Sequence, residues 1–146
     1  MFKTILVPID LNHEDSWRVS VPLATEMVRA SGGTLHFTTV VPDYGAALVQ
    51  DYFPKDFERS SLQHAESEME RLFDGIMPDD VTYKLHLEHG SIRTHVLARA
   101  KDIDADLIVM ASHPPDQLRE FLVGSHADWI VRHAPISVLV VRGETA

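Results

Sequence analysis

The sequence predicts an α/β domain, a parallel β-sheet covered by helices on both faces. Short apolar runs alternate with amphipathic helical stretches along the whole chain, and that alternation is what such a sheet imposes. The length of 146 residues suits one domain, and no internal repeat, low-complexity tract or linker divides it, so residues 1–146 are read as a single unit.

Thr4–Ile9 is the first apolar run and the first strand. Trp17, Val21, Ala24 and Val28 then recur at helical spacing, and Gly32-Gly33 stops that helix. A second strand, Leu35–Val41, ends at Pro42-Asp43. Residues 43–56 hold Gly45, Pro54 and several aromatics with no period, and are read as a long excursion. Leu62, Ala65, Met69, Leu72 and Ile76 mark a second helix, closed by Pro78. Val81, Tyr83, Leu85 and Leu87 alternate with Thr82, Lys84, His86 and Glu88, which predicts a strand with one wet face at a sheet edge. Ser91 is placed to cap a third helix with Ile92, Val96, Ala100 and Ile103 inward. Leu107–Met110 is the fourth strand, residues 124–133 form the next helix, and Ser137–Val141 is the last strand. Val138-Leu139-Val140-Val141 is apolar on both faces. Either it is an interior strand, or it is an edge that pairs with its mate in a second subunit, because a flat apolar edge in water invites aggregation.

Composition narrows the function. With 45% hydrophobic and 24% charged residues the chain has the make-up of an ordinary globular protein. It has no cysteine, which excludes a disulfide framework and fits a reducing compartment. A formal charge of −9 argues against nucleic acid, whose binding needs clustered Lys and Arg. A nucleotide needs only a few local donors. Pro8 and Asp10 interrupt the N-terminal run too early for a signal peptide, and no stretch approaches the ~20 apolar residues of a membrane span. The expectation is a soluble, cytoplasmic protein.

In an open parallel sheet, ligands bind beyond the carboxyl ends of the strands, where the connections diverge to opposite faces. Val7-Pro8-Ile9-Asp10 ends the first strand; Met110-Ala111-Ser112-His113 ends the fourth, and a polar loop leads on to Gly124-Ser125-His126. Asp10 reads either as a turn residue or as a carboxylate for ribose hydroxyls or a metal ion. Gly124-Ser125 reads either as simple capping or as a close backbone approach to phosphate at a helix N-terminus. Arg119 either reaches a terminal phosphate or is solvated. His64, His86 and His89 have no zinc-ligand context, Trp17 and Trp129 read as packing residues, and no Gly-x-x-x-x-Gly-Lys phosphate loop is present.

Taken together, Thr4-Ile5-Leu6-Val7-Pro8-Ile9-Asp10, Leu107-Ile108-Val109-Met110-Ala111-Ser112-His113, Leu122-Val123-Gly124-Ser125 and Arg132-His133-Ala134-Pro135 with Val138-Leu139-Val140-Val141 resemble the universal stress protein family from end to end. The resemblance implies a doubly wound, open five-stranded sheet of order 3-2-1-4-5, dimeric through the last strand. It also implies an adenine-nucleotide site. Pro8 and Asp10 flank the adenosine there, with Asp10 on the ribose, and the Val40 backbone meets adenine. Met110, Ala111, Ser112 and His113 line the base and phosphate path, and Gly124, Ser125 and His126 close on the phosphates. The ligand implied is ATP, with or without Mg2+. The family's nucleotide-binding branch carries Gly-x-x-Gly, nine residues, then Gly-Ser or Gly-Thr. Here Ala111 and Pro114 replace the leading glycines, and Gly124-Ser125 follows after the nine residues Pro115 to Val123. Pro114 has no N–H to offer a phosphate, whereas Ala111-Ser112-His113-Pro114-Pro115-Asp116 with Leu122-Val123-Gly124-Ser125 resembles a subgroup that includes ATP binders. At position 126 the family more often has valine or asparagine; a histidine there is either an exposed helix residue or an added donor whose charge depends on pH.

The function expected is a stress-response regulator that binds ATP or another adenine nucleotide and acts as a dimeric sensor. A nucleotide-free member acting through protein contacts, or a slow ATPase, are the alternatives; His113 or Asp116 would orient a water in the latter, with no second group to complete the constellation.

Overall fold

The computed structural model of the chain describes residues 1–41, 57–112 and 125–143. Its elements are β1 (Thr4–Ile9), a 3-10 turn (Glu14–Ser16), α1 (Ser20–Ser31), β2 (Thr34–Val41), α2 (Phe57–Ile76), β3 (Thr82–His89), α3 (Ile92–Asp102), β4 (Leu107–Ala111), α4 (Ser125–His133) and β5 (Ser137–Val141). The five strands form one parallel sheet in the order β3-β2-β1-β4-β5. The connections from β1 and β4 leave in opposite directions, so the switch point lies between these two strands.

Strand alternation divides the core in two. Ile5, Val7, Ile9, Leu35, Phe37, Leu107 and Val109 face α1 and α2, where they meet Val21, Val28, Met69 and Phe73. Leu6, Ile108 and Met110 face α3 and α4 and meet Val96, Ala100, Ala127 and Ile130. β5 serves both layers: Leu139 and Val141 pack on the first cluster, Val138 and Val140 on the second. That explains its unbroken apolar run in a strand at the sheet's edge. Gly32 ends α1 in the left-handed conformation at φ 72°, and its N–H bonds the Val28 carbonyl. Gly33 lies so close to the Lys3 backbone that any Cβ would overlap it.

Among the described side chains of α2, Met69 and Phe73 are buried and Ile76 is exposed, because Phe73 fills the space against Phe37. Two expectations need correction. Ser91 sits at the N-cap of α3 but its hydroxyl makes no cap bond; instead its carbonyl accepts from the His95 backbone and ring. The wet face of β3 is wet only at Thr82 and Lys84, because α3 covers His86 and Glu88 further along. The excursion at 43–56 lies outside the described residues.

Candidate functional site

Pro8 opens the site. The Lys3 carbonyl accepts from Thr34 on the β2 side, and the Thr4 carbonyl accepts from Asp106 on the β4 side. Alternation along the strand therefore turns the nitrogen of residue 8 toward β4. A proline there has no N–H to give, so the β1–β4 ladder cannot continue through it. The register agrees: β1 and β4 pair only at Ile5↔Leu107 and Leu6↔Ile108, whereas β1 and β2 stay paired through Ile9↔Thr39. The two strands part toward their carboxyl ends, at the topological switch point.

Asp10 stands at the mouth of this crevice on a loop that holds its own shape. Its Oδ1 accepts from the Asn12 N–H at 2.9 Å, and its Oδ2 is 2.8 Å from His13 Nδ1. Its own N–H donates to Ser16 Oγ at 2.7 Å, and the Ser16 hydroxyl lies within bonding distance of the Asp10 and His13 carbonyls. The loop therefore fixes the carboxylate without using it up, since each carboxylate oxygen has a second acceptor position. The side chain is 45% exposed.

Val40 lies one residue past the end of the β1–β2 register, beside Asp10, and is half-buried. Pro8 and Met110 are buried below it, Met110 within the α3–α4 cluster. Ala111 ends β4, and the Ser112 N–H is taken by the Val141 carbonyl at 2.9 Å. Ser125 begins α4 and His126 follows, half-buried beside Arg93 of α3. Asp10, Val40, Met110, Ala111, Ser112 and the start of α4 thus share one edge of the sheet. His113, Pro114, Asp116, Arg119 and Gly124 lie outside the described residues. Among the described residues no group of three or more His, Asp or Glu is arranged to hold a metal ion, and no helix is long and apolar enough to cross a membrane.

Sequence reasoning overlooked a polar patch on the α3 face of β2 and β3. His36, 7% exposed, lies with Nδ1 2.8 Å from His86 Nε2, the rings stacked at 5.1 Å. Burial, then the neighbouring His86, Lys84 and Arg99, lower the His36 pKa to about 4. Burial and Arg99 also lower that of His86, against the opposing pull of Glu88. Arg99 ties α3 to the same strand through Glu88. Thr38 Oγ1 is buried beside them with no partner among the described residues. The alternation Leu35-His36-Phe37-Thr38 was the available signal, a half-polar pattern inside a strand flanked on both sides.

The five-stranded parallel sheet with its switch point between β1 and β4 places the chain in the class of open, doubly wound α/β folds. The chain belongs to the universal stress protein family, whose model matches residues 1–142. Universal stress protein G of Escherichia coli O157:H7 is 33% identical over 145 residues, spanning 97% of this chain and 100% of that protein. Universal stress protein UspA from Lactobacillus plantarum has the same fold, with a TM-score of 0.75 at 20% identity over 97% of this chain and 98% of that one. A universal stress protein solved in complex with cAMP superposes with a TM-score of 0.63 at 20% identity, covering 98% of each chain. A family member from Arabidopsis thaliana with AMP bound gives 0.66 at 14% identity, covering 98% of this chain and 93% of that one.

Proposed function

We propose that this chain binds an adenine nucleotide, ATP in the first instance, in the crevice between the carboxyl ends of β1 and β4, and that it works as a sensor, not a catalyst. The observation that carries the reading is the preformed Asp10 loop at the mouth of a crevice opened by Pro8. A carboxylate held with spare acceptor positions suits a pair of ribose hydroxyls, and preorganisation lowers the cost of binding. Family members with cAMP and AMP bound support an adenine nucleotide as the ligand class. In this reading Pro8, Asp10, Val40 and Met110 surround the adenosine. Ala111, Ser112 and His113 line the path to the phosphates, which Gly124, Ser125 and His126 close. Mg2+ would accompany ATP through the phosphate oxygens.

The reading extends to a cytoplasmic homodimer joined by the β5 edges, supported by the apolar edge strand and the absence of cysteine. Pro114 favours one other reading, a member that has lost its nucleotide and acts through protein contacts alone.

Calorimetric titration with ATP, AMP and cAMP decides between them. Saturable heat with ATP that is lost in Asp10→Ala and Gly124→Val, each with an unchanged circular dichroism spectrum, is expected. Absence of heat and of any thermal shift at millimolar nucleotide sinks the proposal. Phosphate release at a steady rate by the bound protein would replace the sensor with an ATPase.

A further inference from the structure

Arg93 lies in the first turn of α3 and His126 in the first turn of α4. Both helices start at the carboxyl edge of the sheet, so both side chains belong to the ligand side of the fold. Arg93 Nε points at His126 Nδ1 across 3.4 Å, and its guanidinium carbon lies 5.8 Å from the centre of the Trp129 ring. Trp129 is itself stacked on His133, with centroids 4.1 Å apart, which steadies the platform under the guanidinium. Arg18, Arg29, Arg99 and Arg132 each pair with a carboxylate. Arg93, in a chain of net charge −9, has none among the described residues and is turned instead toward an imidazole nitrogen and an aromatic face. The Nε–H donates to the imidazole nitrogen and the guanidinium lies beside the indole ring, and neither contact supplies the negative charge that a carboxylate gives the other four arginines.

We propose that Arg93 is a phosphate-contacting residue of the nucleotide site, and that it sets the preference among adenine nucleotides by their phosphate. The inference rests on the nucleotide reading above. His126 engages Nε alone, so the two terminal amino groups of Arg93 form the fork that matches two phosphate oxygens. The Trp129 ring holds the plane of that fork. Adenosine, which has no phosphate, meets none of it.

Calorimetry with adenosine and with ATP, on the wild type, Arg93→Gln and Arg93→Lys, tests the assignment. Arg93→Gln keeps most of the side-chain stem over Trp129. It is expected to weaken ATP at least tenfold and to leave adenosine within twofold, and Arg93→Lys to recover part of the loss. Quenching or shift of Trp129 emission by ATP but not by adenosine, read in a Trp17→Phe background, is the expected second signature. Equal ATP affinity in the wild type and Arg93→Gln overturns this inference and leaves the nucleotide reading standing. So does a loss that is the same for adenosine and ATP. A wild type that binds neither ligand overturns both.

Discussion

Phe37 and Phe73 stack in the centre of the first core layer, both fully buried, with ring centroids 4.1 Å apart and planes 19° from parallel. Cutting Phe73 to Ala removes a ring that the well-packed surroundings cannot refill, and the expected loss is about 3–5 kcal/mol by urea denaturation. His36 offers a residue-scale test of a different kind. Its pKa is lowered from 6.5 to about 4, chiefly by burial. The unfolded chain therefore takes up a proton near pH 6.5 that the folded chain refuses until about pH 4. The stability that depends on a neutral His36 is complete above pH 6.5 and is lost progressively as pH falls toward 4. Denaturation midpoints measured across this window should fall less steeply in His36→Leu than in the wild type. Parallel slopes would remove His36 from the acid response.

Among the elements, β1 shows how one residue type shapes a site. Pro8 ends the β1–β4 ladder at Leu6↔Ile108 by lacking the N–H that would extend it. Pro8→Ala restores that donor. Its new amide is expected to gain hydrogen-exchange protection through the Ile108 carbonyl, and nucleotide affinity to fall as the crevice narrows. An unprotected amide at position 8 with unchanged affinity would separate the proline from the opening. Element identity was legible in the chain because period and punctuation agreed: Gly32 closes α1, and Thr4–Ile9 and Ser137–Val141 are strands over the spans read from the sequence. The face of α2 was not, because whether Phe73 or Ile76 turns inward depends on the room that Phe37 leaves, a matter of another strand's side chain.

At the scale of the whole molecule, β3 and β5 are the two free edges of the sheet. Polar Thr82 and Lys84 are exposed on β3, whereas β5 is apolar throughout except at Ser137. Only the first is protected against pairing with another chain. Light scattering during size exclusion is expected to give twice the 16.4 kDa of one chain, and a Leu139→Lys change to return it to one. A wild type that runs as a monomer at micromolar concentration contradicts the β5 dimer.

The candidate site divides the same way. Pro8, Asp10 and Ser112 stand out in the chain because each follows or interrupts a strand. The parallel sheet, its five strands and the location of the crevice follow from that local pattern, since hydrophobic period and strand-ending residues are properties of contiguous sequence. Arg93 beside His126, and His36 against His86, join positions 33 and 50 residues apart. Only the packing of α3 on α4, and of β2 on β3, brings those groups within reach. Side-chain pairs across elements depend on crossing and register, which no local period encodes.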